Sequence, residues 1–306
     1  MPRTVGFFHS GTKASFQLHF AAFVRRLHDI VGEHDVKIIE TWAGDDPSQT
    51  LEQHAQGLAG RSVDVIVACG GPPAALAGQK ATIKSKVPVV FMSVADPVGL
   101  GLVASLDNPG GNMTGIAGLT SELDVTRLQL LRELLAGGRP AKIGVLNNAK
   151  RPHLEQQYKT LAAAAGDLNL TLVRKDAADL AQIEAGFSSF KGEKVDALLV
   201  TADSLFNDLR KRVVALAKGV PAIYQWREFA EAGGLMSFGP NIIEAYEQVG
   251  EYVGHILNGA AASDLPVALP DRFELVINLR VAHAEGFRIP ASLLSRAEFV
   301  RHRVRA

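Results

Sequence analysis

A chain of 306 residues, 47% hydrophobic and 21% charged, is longer than one hydrophobic core usually organises and calls for two domains. Its 32 Lys plus Arg balance 32 Asp plus Glu, so there is no basic excess of the kind that phosphate neutralisation needs, which argues against a nucleic-acid partner. The one cysteine, Cys69, sits inside an apolar run, which excludes a disulfide framework and a cysteine metal site, and no apolar run is long enough to span a bilayer.

The N-terminus "MPRTVGFFHS" enters a strand-like run at once, with no basic segment, apolar stretch and small-residue cleavage site ahead of it. A cytosolic protein and a chain whose export signal has been removed both fit. Strand-like runs then follow at 4–10, 36–42, 63–70, 87–94 and 113–119, and again at 142–147, 171–177, 195–202, 221–226 and 234–239. Several are nearly continuous in Val, Ile and Phe, as strands buried on both faces are. Between them lie segments such as "FQLHFAAFVRRLHDI" and "DVTRLQLLRELLA", with apolar residues three and four apart, which predict helices. Strand, helix, strand repeated predicts an α/β fold with parallel sheets and right-handed crossovers. The order also looks duplicated: "RSVDVIVACG" and "KSKVPVVFMSV" in the first half resemble "GEKVDALLVTA" and "LAKGVPAIYQW" in the second. Two similar lobes would produce this.

Ligands of open parallel sheets sit beyond the carboxyl ends of the strands, so the residues that follow each run sample the site. In "CGGPPAALAGQK" a turn at Gly70 and Gly71 leads to Pro73 in the first turn of a helix. Amides around Ala74 and Ala75 could hold a carboxylate there, or the segment is only a strand-to-helix turn. Asp96, in "SVADPVG", either caps a following helix or pairs with a ligand ammonium. Tyr224 and Trp226 alternate with Gln225 at the end of a strand, where they share a face and either stack on a flat ligand or pack the core. The nine histidines and the acidic residues show no metal spacing, and neither a nucleophile elbow, a Walker ending nor a G-x-G-x-x-G fingerprint is present. His9 and Ser10 are neighbours on an extended strand and point opposite ways, which disfavours a base and nucleophile pair. No catalytic residue, metal or cofactor is expected.

Four long stretches together resemble the ABC-transporter substrate-binding proteins of the tryptophan/tyrosine-uptake type. They begin "VDVIVACGGPPAALAGQKAT", "VPVVFMSVADPVGLGLVASLDNPGGNMTGI", "WREFAEAGGLMSFGPNIIEAYEQVGEYVGHILNG" and "FELVINLRVAHAEGFRIPASLL". The resemblance runs through most of the chain in the family's order. It implies two doubly wound parallel-sheet lobes of the periplasmic-binding-protein-like type I, joined by three hinge crossovers near "GIAGLTS", "SFGPN" and "ALPDRFEL". The first lobe would comprise residues 1–118 with 240–265, and the second 119–239 with 266–306. It further implies a periplasmic, monomeric binder that closes on a small ligand between its lobes, docks on a membrane permease and catalyses nothing.

Carried over position by position, the resemblance places ligand contacts at Ser10, at the turn of Gly71, Pro73 and Ala74, and at Ser93 and Asp96 in the first lobe. In the second it places them at Asn147, Asp203, Tyr224 and Trp226. On this reading Asp96 is a ligand contact that also helps begin the next helix. Carboxylates, a helix-start anion site and an aromatic wall together point to an aromatic amino acid or related aromatic acid. In "NNAKRPH", Lys150, Arg151 and His153 stand where many relatives carry an Asn-Pro-rich loop. The competing expectations are a cytosolic α/β enzyme such as an isomerase, with Asp96 or Asp203 as base, and the ligand-sensing domain of a regulator. A regulator would normally add a DNA-binding helix pair and a basic patch.

Overall fold

The computed structural model describes residues 2–93, 95–118, 120–135 and 138–300. Backbone contacts divide the chain into unit 1, Met1–Leu119 with Ile242–Asp271, and unit 2, Thr120–Asn241 with Arg272–Ala306. The chain therefore passes between the units three times. The passages fall in or beside the three stretches expected as crossovers, although Leu119 of the first, like Val94 in "SVADPVG", lies outside the described residues.

Unit 1 begins with β1 (Arg3–His9), α1 (Lys13–Val31), β2 (Val36–Trp42), α2 (Leu51–Ala59), β3 (Val65–Cys69), α3 (Pro72–Thr82), β4 (Val89–Ser93) and β5 (Met113–Ala117). Its sheet has the order β2-β1-β3-β4-β5, parallel throughout. Local chemistry marks the helix starts. Thr12 accepts the Ser15 amide ahead of α1, and Thr50 and Gln53 exchange hydrogen bonds in a capping box ahead of α2. The strands β3, β4 and β5 are buried at every residue, as their apolar runs require.

Unit 2 contains α4 (Thr120–Leu134), β6 (Ala141–Asn148), α5 (Leu154–Asp167), β7 (Leu170–Ala177), α6 (Leu180–Gly192), β8 (Ala197–Val200), α7 (Ser204–Asp208), α8 (Arg210–Leu216), β9 (Ala222–Tyr224), α9 (Arg227–Glu231) and β10 (Met236–Pro240). The chain then returns to unit 1 for α10 (Ile242–Leu257), which packs on α1. Unit 2 is completed by β11 (Phe273–Ile277), α11 (Leu279–Ala284), α12 (Ala291–Leu294) and β12 (Glu298–Phe299). Its sheet runs β12-β11-β10-β9-β8-β6-β7.

The path β7-β6-β8-β9-β10 repeats β2-β1-β3-β4-β5, so the duplicated sequence order corresponds to duplicated topology. The paired motifs do the same work in each unit. Asp64 donates its amide to Thr4 O and accepts the Thr4 amide on Oδ2, and Asp196 does both with Lys142. Pro88 O and Pro221 O accept from Ile66 and Leu198 respectively.

Two features depart from the sequence reading. The pair β10–β11 is antiparallel, so the sheet of unit 2 is mixed, and β11 and β12 extend it beyond the ten strand-like runs. Residues 266–271, assigned from sequence to the second lobe, fall in unit 1, where the Val267 amide donates to Leu106 O and the Ala268 amide to Gly115 O.

Candidate functional site

The carboxyl edge of the unit 1 sheet is largely self-satisfied. His9 is fully buried at the end of β1. The Gly11 amide donates to its Nδ1 at 2.8 Å, so the ring carries its proton on Nε2, which donates to the Tyr246 hydroxyl at 2.7 Å. Tyr246 in turn hydrogen-bonds the Cys69 thiol, whose pKa burial pushes up. Burial, with the nearby His19 adding to it, lowers the His9 pKa from 6.5 to about 3, so the ring is neutral. Phe7, Phe16 and Trp42 pack around this network.

The sequence-nominated residues of unit 1 line the same edge. Ser10 Oγ donates to Gly70 O at 2.6 Å. Gly70 and Gly71 both take φ of 98°, a backbone that residues with a Cβ rarely adopt, and Gly71 is the N-cap of α3. The expected anion site is narrower than the sequence suggested. Pro72 and Pro73 have no N–H, and the amides of Ala74 and Ala75 already donate to Gly71 O at 3.1 and 3.2 Å, which leaves the Gly71 amide as the donor there. Ser93, buried at the end of β4, receives the Ala95 amide on its Oγ at 3.4 Å. Asp96 is exposed and accepts the Val98 amide at 3.0 Å. No helix follows it; residues 97–101 form turns, so the expectation that Asp96 helps to begin a helix is corrected to an Asx turn.

Unit 2 differs at the corresponding edge. Asn147 is buried, and its Nδ2 donates sideways to Asp176 on β7 at 3.3 Å. Its neighbour Asn148 donates to Asp203 Oδ1 at 2.8 Å. Asp203 is the N-cap of α7 and also takes the Leu205 amide at 2.9 Å. Burial raises the Asp203 pKa, opposed by those two hydrogen bonds and the charge of Arg151. Tyr224 is core: 1% exposed, it stacks on Phe229 with centroids 4.9 Å apart and planes 14° apart. It lies within β9, whereas Trp226 is the N-cap of α9, so the two rings do not form one strand face.

Sequence reasoning missed the most unusual group on this edge. Arg127, in α4, is fully buried; Nη1 donates to Asp124 Oδ1 at 2.5 Å and Nε to Phe238 O at 2.7 Å. Burial lowers its pKa, Asp124 opposes that, and Arg151 adds to it. Among the described residues its Nη2 has no hydrogen-bond partner, and neither do both amide atoms of Gln225 and Asn207, Trp226 Nε1 and Ser237 Oγ, all on buried side chains. Gly239 lies between Arg127 and the Gln225 main chain. A Cβ there would lie 2.0 Å from Gln225 O and 3.4 Å from Arg127 Nη2, so only glycine lets β10 approach. A signal did exist in the sequence: Asp124 and Arg127 fall on the apolar stripe of Leu128, Leu131 and Leu134, and Gln225 interrupts the apolar run "PAIYQW". An orphaned buried polar atom costs about 1–3 kcal/mol, so each of these groups calls for an explanation that folding alone does not supply.

Two α/β units of one topology, linked by three crossings and carrying polar groups at the carboxyl ends of their strands, form the two-lobed architecture of the periplasmic-binding-protein-like fold. The chain belongs to the ABC transporter substrate binding protein family, whose model matches residues 23–301. It is 30% identical over 231 residues to the tyrosine-binding protein of Clostridioides difficile (strain R20291), a match that covers 75% of this chain and 65% of that protein. Its structure is similar to that of an ABC domain in complex with L-Trp from Streptococcus pneumoniae, at 25% identity and TM-score 0.84, covering 97% of this chain and 100% of the other. A conserved domain protein from Vibrio cholerae O1 biovar El Tor shares the fold, with TM-score 0.88 and 24% identity over 98% of this chain and 100% of the other.

Proposed function

We propose that this chain is the extracytoplasmic solute-binding component of an ABC importer and captures an aromatic amino acid or a related aromatic acid. It binds without catalysis, acts as a monomer in the periplasm and delivers its ligand to a membrane permease. The support that carries this reading is the family match over residues 23–301, joined by a tyrosine-binding relative and a tryptophan-bound structural neighbour. The unsatisfied polar groups of unit 2 are in keeping with it, since a ligand that arrives and leaves must find donors and acceptors already in place. Asp203 has the raised pKa a general base would need, but its carboxylate is engaged by Asn148 and by the Leu205 amide at a helix start, which favours a structural task over an enzymatic one.

The test is a melting screen with L-tryptophan, L-tyrosine and aromatic acids beside aliphatic amino acids and polyols. A ligand held at 100 times its Kd adds about 2.7 kcal/mol to the folded state and raises its melting temperature. Binding should also change tryptophan fluorescence. Trp226→Phe should remove most of that change, whereas replacing Trp42, whose Nε1 donates to Glu40 at 2.9 Å within unit 1, should leave it. Stabilisation by polyols or aliphatic solutes alone would refute the aromatic assignment.

A further inference from the structure

Arg127 and Gln225 occupy positions that the duplicated fold does not require to be polar. The motif pair Val87-Pro88 and Val220-Pro221 places Met92 of unit 1 at the position of Gln225. The strand registers Val90↔Thr114 and Ile223↔Met236 likewise make Val249, the eighth residue of α10, the counterpart of Arg127, the eighth residue of α4. Met92 and Val249 are both buried apolar side chains. The same architecture is thus built once with apolar side chains at these two places and once with a guanidinium and a carboxamide.

The polar pair is also incompletely used. Gln225 is fully buried with neither amide atom bonded among the described residues, and Arg127 spends Nε on Phe238 O and Nη1 on Asp124 while Nη2 stays unbonded. A carboxamide kept for folding would have its donors and its acceptor engaged by backbone or side chains. Gly239 lies between the Gln225 main chain and the Arg127 guanidinium: a Cβ there would meet the Gln225 backbone carbonyl oxygen at 2.0 Å and Arg127 Nη2 at 3.4 Å.

We infer that Arg127 and Gln225 are the residues that select a ligand's polar end: Arg127 Nη2 and Gln225 Nε2 donate to a carboxylate, and Gln225 Oε1 accepts from a donor on the adjacent carbon. The class this selects is the α-amino and α-hydroxy acids, irrespective of side chain. The assignment deepens the solute-binding reading and rests on it. It moves recognition of the carboxylate from the Gly71–Ala75 turn to unit 2. A guanidinium already oriented by two hydrogen bonds loses little further freedom on taking a carboxylate, which suits it to the task.

The decisive variant is Gln225→Met, which gives unit 2 the side chain that unit 1 carries at Met92. The free protein is expected to melt at the same or a higher temperature, because two orphaned groups disappear. The Kd of the best ligand from the screen, measured by calorimetry, should rise at least tenfold. In the unaltered protein L-tryptophan should bind more tightly than indole-3-propionate, which lacks the ammonium, and tryptamine, which lacks the carboxylate, should not bind. The preference for L-tryptophan over indole-3-propionate should collapse in the variant. Gln225→Glu, similar in shape but repelling a carboxylate, serves as the second variant and should also lose affinity. A lowered melting temperature with affinity intact in either variant would show Gln225 to be structural and overturn the inference. If aliphatic amino acids bind in place of aromatic ones and Gln225→Met weakens them, the aromatic reading fails and this one stands. Binding of polyols alone would overturn both.

Discussion

Unit 1 and unit 2 trace one path: β2-β1-β3-β4-β5 in the first, β7-β6-β8-β9-β10 in the second, with Asp64 and Asp196 each bracing the strand beside them. At the helix that follows the fifth strand of this path they diverge. In unit 1 the fifth residue of α10 is Tyr246, bonded to His9, and the eighth is Val249 in the core. In unit 2 the same places on α4 hold Asp124 and Arg127, a buried ion pair with a spare guanidinium nitrogen. At these places unit 1 makes its bonds among its own groups, whereas in unit 2 Arg127 Nη2 has no hydrogen-bond partner among the described residues. The difference teaches that topology and recognition are separable: the fold tolerates either chemistry at these sites, and the polar version costs stability that a ligand can return.

The largest expected effect comes from exchanging the two chemistries. Val249→Arg would place a charge where unit 1 has no counter-charge built for it, and loss of cooperative folding by circular dichroism is the expected result. Arg127→Met should cost about 3–5 kcal/mol in denaturant titration, because Asp124 is left buried and alone, while the double variant Asp124→Leu with Arg127→Met should recover much of that loss. If the single variant costs no more than the double, the pair is not coupled and the contrast between the units weakens.

Next in size is acid sensitivity, which should belong to unit 1. His9 titrates near 3 in the folded protein against 6.5 ordinarily. Between those values the unfolded chain binds a proton that the folded chain refuses. His9 therefore contributes its full stabilisation above pH 6.5 and loses it as the pH falls toward 3, at about 1.4 kcal/mol per pH unit. Denaturation of the parent and of His9→Asn from pH 7 to pH 4 should show a shallower slope in the variant; parallel slopes would remove His9 from the acid response.

The smallest effects test sameness. Asp64→Ala and Asp196→Ala each remove a carboxylate acceptor from a strand-starting amide, at 2.6 and 2.8 Å, and each should cost about 1.5 kcal/mol. Equal losses support equivalent roles in the two units. A loss confined to one would show that the repeated motif has been kept for different reasons.

The sequence by itself determined the alternation of strand and helix and the duplication, whereas the crossings were implied by its resemblance to a known family. The first two are written in local terms: runs of Val, Ile and Phe, apolar residues three and four apart, and Gly70 with Gly71 at a turn ahead of Pro73. It also marked strand ends as the place to look, because parallel sheets put them there whatever the side chains. What it left undecided was which of those residues are already spent. The amides of Ala74 and Ala75 are taken by Gly71 O, Tyr224 is stacked on Phe229, and Asp96 closes a turn with Val98. Arg127 shows in the sequence only as a charge on the apolar stripe of a helix, with no sign of its partners. Only the packing of α4 against β9 and β10 removes it from water and gives Nε the Phe238 oxygen, while Asp124 of the same helix takes Nη1 and Nη2 has no partner among the described residues. Periodicity reports which face a residue lies on, whereas hydrogen-bond satisfaction depends on atoms brought together from distant parts of the chain, and that is settled by the tertiary structure.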